Sequence, residues 1–150
     1  MTTNQPSLPS RISMQEKQLS IPGQLNQVET VCRFIDESAR STDFDERESY
    51  ACQLAVTEAC ENIILHGYQG TNGEKITVKI QTRPGDLMIK IVDQAPPFNP
   101  AELVPEKTAS PDDPPIGGLG LVILHKVMDE VEYKRTQSGN TLSLRKKKKS

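Results

Sequence analysis

Several absences narrow the reading of this chain before any motif is considered. No stretch approaches the run of about 18 consecutive apolar residues that a membrane-spanning helix needs. The opening "MTTNQPSLPS" has neither the basic n-region nor the apolar core of a secretory signal, so a cytoplasmic location is expected. Neither sign of charge dominates. A net charge of −2 excludes a dedicated nucleic-acid or membrane-surface protein, because counterion-driven binding needs an excess of Lys and Arg on one face. The three cysteines, Cys32, Cys52 and Cys60, show no C-x-x-C spacing and no even count, which excludes a disulfide framework and a zinc site. They read as small core residues of a reducing compartment. Aromatic residues make up only 4% and hydrophobic residues 35% of the 150 residues, so part of the chain is expected to bury little.

The remainder has room for one domain. Residues 1–11 are polar and rich in Pro and Ser, a disordered N-terminal tail by composition. The domain is expected over 12–146, beginning with an extended edge segment "ISMQEKQLSI" that ends at Pro22. From Leu25 the apolar positions Val28, Val31, Cys32 and Ile35 follow helical spacing. Asp45 with Glu48 three residues later is a helix-start signal, and the second helix should run to Gly67. "EKITVKIQT" and "DLMIKIVDQ" alternate and flank "RPGD", the pattern of an antiparallel hairpin. Seven of the eleven prolines lie in a lid loop, 95–117; a loop of that length inside a domain is commonly functional. "LVILHKVMDE" should form a third helix, and "VEYKRTQ" and "NTLSLRK" two last strands around a Ser138-Gly139-Asn140 turn. The order predicts an α+β two-layer sandwich, a mixed, mostly antiparallel sheet with helices on one face. A basic tail, 147–150, closes the chain.

The stretch "TEACENIILHGY" carries the chemistry. On a helical wheel Cys52, Val56, Ala59, Cys60 and Ile63 gather opposite Glu58 as a core face. Glu58 and Asn62 share a stripe one turn apart, flanked by Ala51, Leu54, Ala55 and Leu65. A carboxylate in an apolar frame must be paired, hydrated or used. From this helix alone a surface stripe with incidental leucines is an equal reading. His66 reads as structural. Asp93 ends an apolar strand, where a turn or capping role is the ordinary one. Gly117, Gly118 and Gly120 precede a helix, and uncovered backbone N–H groups there suit phosphate oxygens as well as a flexible join.

Taken in order, E-x-x-x-N on a helix, D-x-x-x-P-F after a strand and G-G-L-G-L before a helix resemble the ATP-binding superfamily shared by gyrase, mismatch-repair ATPases and sensor histidine kinases. Size and the final "GNTLSLRK" look most like its stand-alone bacterial anti-sigma-factor serine kinases. The resemblance spans residues 13–146 and implies a Bergerat-type fold that binds ATP or ADP with Mg2+. It implies Glu58 as general base, Asn62 as the Mg2+ ligand, and Asp93 as the acceptor of the adenine amino group, supported by Thr141. Ala95 and Phe98 would line the nucleotide, and Gly117, Gly118, Leu119, Gly120 and Leu121 would wrap the triphosphate. Ala95 departs from the pattern, which usually has Gly there.

On this resemblance the partners are a sigma factor and an anti-sigma-factor antagonist whose serine accepts phosphate, with no direct contact to nucleic acid or membrane. A homodimer through the N-terminal strand or first helix is a further implication. A dinucleotide-binding reading of "GGLGLV" fails because no strand precedes it and the third Gly is missing. A histidine-kinase module would need its phosphoacceptor helix from another chain. A binding module that sequesters a sigma factor or antagonist without phosphate transfer is the alternative from another class.

Overall fold

The computed structural model describes residues 14–69, 74–96, 124–137 and 139–148. Strand β1 (Gln15–Pro22) leads through a 3-10 turn (Leu25–Gln27) into helix α1 (Val28–Arg40), followed by α2 (Glu46–Asn62) and a π-helical turn (Ile63–Gly67). Strands β2 (Lys75–Arg83), β3 (Asp86–Asp93), β4 (Glu130–Thr136) and β5 (Gly139–Lys147) complete the sheet. Its order is β1-β2-β3-β5-β4, and among the described residues every pairing is antiparallel. The expected α+β sandwich is the fold.

Alternation in the strands decides which face is covered. Ile76, Val78, Ile80, Leu87, Ile89, Ile91, Leu142 and Leu144 are buried together with Val31, Ile35, Cys52, Val56 and Cys60 of the helices. The intervening residues, among them Lys79, Gln81, Lys90, Thr141 and Ser143, are exposed or half-buried. The sheet therefore packs its apolar face on α1 and α2.

Local signals account for the joints. In the β2–β3 hairpin Arg83 pairs with Asp86, and Gly85 has φ 69°; Pro followed by a left-handed Gly is the type II pattern. Asp45 caps α2 by accepting from Glu48 N at 2.7 Å, while the Glu48 carboxylate accepts from Asp45 N at 3.0 Å, a capping box. Asp36 of α1 accepts from Ser49 Oγ of α2 at 2.6 Å and from Arg40 at 2.9 Å, and these bonds hold its carboxyl below the usual range. β1 is an edge strand, as expected, with its first four residues exposed, and polar side chains suit an edge.

Three boundaries differ from the sequence reading. The second helix reaches Gly67 only by changing to π winding at Ile63. The third helix stops early: residues 124–127 are helical, Asp129 N already donates to Arg145 O at 2.8 Å, and Glu130 opens β4. β5 continues through Lys147, and Lys148 Nζ donates to Asp43 O at 2.5 Å. The 1–11 tail and the lid beyond Pro96 lie outside the described residues. Among the described residues no helix is long and apolar enough to cross a membrane.

Candidate functional site

The end of α2 meets the end of β3. In the π-helical turn Tyr68 N donates to Ile63 O at 2.7 Å, five residues back. This wider winding turns Gly67 toward Ala95: a Cβ built on Gly67 would lie 2.9 Å from Ala95 Cβ. The methyl group that sets Ala95 apart is buried there, against a residue that has none. Tyr68 completes the junction. Its ring fills the space left by Gly23, where a Cβ would come within 2.9 Å. Its hydroxyl donates to Lys75 O at 2.6 Å and accepts from Gln94 N at 2.8 Å.

On α2 the two predicted polar residues sit differently. Glu58 is half-buried, and its carboxyl is pushed above the usual range by burial and, secondarily, by the charge of Glu61. Asn62 is 5% exposed, and its Nδ2 has no hydrogen-bond partner among the described residues. A buried amide without a protein partner fits a bound group, because leaving it unpaired costs free energy. The core face named from the wheel is buried as expected.

Asp93 is the other anchor. It is buried, and Oδ1 accepts from Asn140 Nδ2 at 2.8 Å and from Ala95 N at 2.8 Å. Oδ2 receives no hydrogen bond from the described residues. Burial raises the carboxyl above its usual range, opposed by the bonds from Asn140 and Ala95 and by the charge of Arg135. Cys60 lies within reach of this charge: its thiol is pushed up to about 12, first by burial, with Cys32, Glu61 and Asp93 adding to it.

Thr141 is not part of this corner. It pairs with Val92 and shares the open face of the sheet with Lys79, Lys90, Lys134 and Ser143. Strand alternation sends neighbours to opposite faces, and the residue opposite Asp93 is Asn140. Asn140 Nδ2 also reaches Ala95 O at 3.0 Å and Pro96 O at 3.2 Å, while its Oδ1 accepts from Tyr133 Oη and from Arg135 Nη1 at 3.0 Å. Arg135 in turn donates to Ala95 O at 2.9 Å. Sequence reasoning missed Asn140, Tyr133, Arg135 and Tyr68. Counting back by two from Leu144 and Leu142 puts an amide on the buried face, and that signal was available. Gly139 before it has φ 118°, and a Cβ there would lie 2.1 Å from Asp93 O, so only glycine lets β5 start this close to Asp93. Phe98, Gly117, Gly118, Leu119, Gly120 and Leu121 fall outside the described residues.

A single open antiparallel sheet, two helices on one face, and a buried carboxylate at a strand end beside a buried amide define a nucleotide-pocket type of α+β domain. Residues 21–146 match the histidine kinase-like ATPase domain, and the chain belongs to that family. It is 35% identical over 101 residues to the serine-protein kinase RsbW of Bacillus pumilus, covering 63% of this chain and 62% of the relative. The corresponding protein of Bacillus subtilis is 24% identical over 141 residues, covering 86% and 83%. The serine/threonine-protein kinase BtrW of Bordetella bronchiseptica is 24% identical over 112 residues, covering 74% and 79%. The alignments to the first curated relatives span less than two thirds of those proteins' length. The crystal structure of the RsbU and RsbW domains of Rv1364c from Mycobacterium tuberculosis has the same fold, with TM-score 0.63 and 16% identity over 89% of this chain and 32% of that one.

Proposed function

We propose that this protein is an anti-sigma regulatory factor and serine-protein kinase, which binds Mg-ATP and phosphorylates a serine of an anti-sigma-factor antagonist in the cytoplasm. The observation that carries the nucleotide reading is Asp93. A buried carboxylate anchored through one oxygen presents the other as an acceptor, and an adenine amino group is the donor that suits it. Asn62 would hold Mg2+ through its side-chain oxygen, the hard donor this ion prefers, while its Nδ2, unpaired among the described residues, is a donor that suits a phosphate or water oxygen. The ion, when bound, neutralises charge on the phosphates.

Glu58 serves as general base. Its carboxyl is raised by partial burial, which brings a carboxylate closer to the working pH and makes it a better proton acceptor. It takes the proton from the serine hydroxyl as the oxygen attacks the γ-phosphorus, and the bond from γ-phosphorus to the bridging oxygen of ADP breaks. Phosphoryl transfer asks mainly for positioning and charge stabilisation, which a metal, a helix end and a buried carboxylate supply. The named relatives that are serine-protein kinases and an anti-sigma F factor from Clostridium acetobutylicum, 28% identical over 98 residues, support both halves of the reading. The antagonist and a sigma factor are the partners, and a homodimer belongs to the same proposal.

The test mixes the purified chain with Mg-ATP and a serine-bearing antagonist protein. Stoichiometric phosphate incorporation is expected, lost in Glu58→Gln with nucleotide affinity retained and lost in Asp93→Asn together with it. Nucleotide-dependent complex formation without phosphate incorporation would replace the kinase with a binding switch. No response to Mg-ATP or Mg-ADP in calorimetry would remove both.

A further inference from the structure

Strands β2 and β3 keep one register, and Thr77 opposite Val92 is the last pair before the site. Carried two residues on, that register would set Lys75 opposite Gln94. Lys75 still belongs to β2, whereas β3 ends at Asp93. On its other side Lys75 faces Pro22, which has no N–H to donate, and the bond to the edge strand there runs from Gly23 N to Glu74 O at 2.7 Å. Successive residues of an antiparallel strand bond to opposite sides, so the Lys75 carbonyl points toward Gln94. It does not close on it. The Tyr68 hydroxyl stands between them, donating to Lys75 O at 2.6 Å and accepting from Gln94 N at 2.8 Å. One oxygen atom occupies the place where a direct bond of about 2.9 Å would extend the ladder.

The diverted chain serves the site. Held off β2, residues 95 and 96 turn to β5, where Ala95 O and Pro96 O accept from Asn140 Nδ2, and the Ala95 methyl settles beside Gly67. Tyr68 follows directly on the π-helical turn that ends α2. We infer that Tyr68 is a positioning residue for the nucleotide: its hydroxyl, wedged into the β2–β3 ladder, fixes the span between the helix end that offers Asn62 to metal and phosphate and the strand end that offers Asp93 to the base. This rests on the proposed nucleotide reading. A ligand that reaches both ends depends on that span, and one that reaches only the base does not, because preorganisation helps a ligand only through the contacts it makes.

Tyr68→Phe removes the oxygen and keeps the ring in its seat beside Gly23. Calorimetry on the full chain should show Mg-ATP and Mg-ADP bound at least tenfold more weakly, while adenosine, measured by displacement of Mg-ADP, keeps its affinity within about twofold. Gly23→Ala, whose Cβ would stand 2.9 Å from Tyr68 Cδ2 and 3.0 Å from Glu74 O, shifts the ring with the hydroxyl present and should give the same selective loss in smaller measure. In the native chain without nucleotide the Gln94 amide should exchange at least tenfold more slowly than in the unfolded chain. Parallel loss of adenosine and Mg-ADP, selective loss in neither variant, or a Gln94 amide that exchanges as fast as in the unfolded chain overturns the inference and leaves the function standing. Adenosine that fails to displace Mg-ADP from the native chain removes the premise of two separate anchors, and the inference with it. A native chain that binds neither Mg-ATP nor Mg-ADP overturns the proposed function first.

Discussion

Removing the amide of Asn140 should produce a loss of stability that depends on the charge of Asp93. In Asn140→Ala, Asp93 keeps the bond from Ala95 N at 2.8 Å and loses the one from Asn140 Nδ2 at 2.8 Å. A hydrogen bond to a charged group contributes roughly 1.5–3 kcal/mol. The other contacts add less, because Arg135 keeps its bond to Ala95 O and its exposed guanidinium can turn to water. The expected deficit at pH 8 is about 3 kcal/mol, a urea midpoint lower by roughly 1–3 M for an m-value of 1–3 kcal/mol/M. The sign of the pH effect follows from burial. The native carboxyl is already raised above 3.8, and losing the Asn140 donor raises it further. An acid raised in the folded state binds more protons there than in the unfolded chain, so its ionisation weakens folding as pH climbs above 3.8. At pH 4 a larger share of this raised carboxyl is neutral, and the deficit moves toward that of a neutral bond, about 1 kcal/mol. Urea unfolding of native and variant proteins at both pH values measures the difference. In an Asp93→Asn background the deficit should be small and flat with pH. An equal deficit at pH 4 and pH 8, or one untouched by Asp93→Asn, would refute the account of Asn140 as the counterweight to a buried charge.

Gly67→Ala should lower stability by about 1–3 kcal/mol through overpacking, since the new Cβ would meet Ala95 Cβ at 2.9 Å; thermal melts of Gly67→Ala with Ala95→Gly should recover most of the loss, and no recovery would mean the clash is relieved elsewhere. Asp36→Ala should cost about 1–2 kcal/mol at pH 7, since the carboxylate accepts from Ser49 and Arg40. Because that carboxyl lies below 3.8 in the folded protein, its contribution is present above 3.8 and lost as pH falls below it, so the native and variant stabilities should converge in acid. Cys52 and Cys60 are buried with thiols pushed up to about 12, so Ellman's reagent at pH 8 should find at most one of the three cysteines in the folded chain and all of them in guanidinium. A second thiol reacting at the rate of the first would contradict their burial.

The parts of this fold written in short-range pattern were readable. Ile76, Val78 and Ile80 alternate with polar neighbours, Asp45 and Glu48 form the cap they suggest, and Pro84-Gly85 makes the turn. Glu58 and Asn62 stood out as a polar stripe in an apolar helix frame and Asp93 as an acid at a strand end, but the roles given to them came from the resemblance of the ordered motifs to the ATPase superfamily. Alternation back from Leu144 and Leu142 points Asn140 to the buried face, but its seat opposite Asp93 depends on the pairing of β5 with β3, which no local pattern encodes. Thr141, implied as the supporting residue by the resemblance, lies on the open face of the sheet, because neighbours along a strand point to opposite faces. The contact of Gly67 with Ala95 joins two residues far apart in the chain, and no local periodicity encodes it. The π-helical winding has no compositional signature in "IILHG", where Gly67 signals only an exit.

That winding leaves a mark on how the gene can vary. A π-helical turn holds one residue more than regular winding needs, and Leu65, 50% exposed, lies within it. Excising its codon would let the segment relax to an ordinary α-helix, in which four steps of about 100° bring Gly67 round to much the same direction as five steps of the wider winding do now. Codon loss within this turn should therefore disturb the Gly67–Ala95 junction less than codon loss further back in α2, which would swing every later side chain by about 100°.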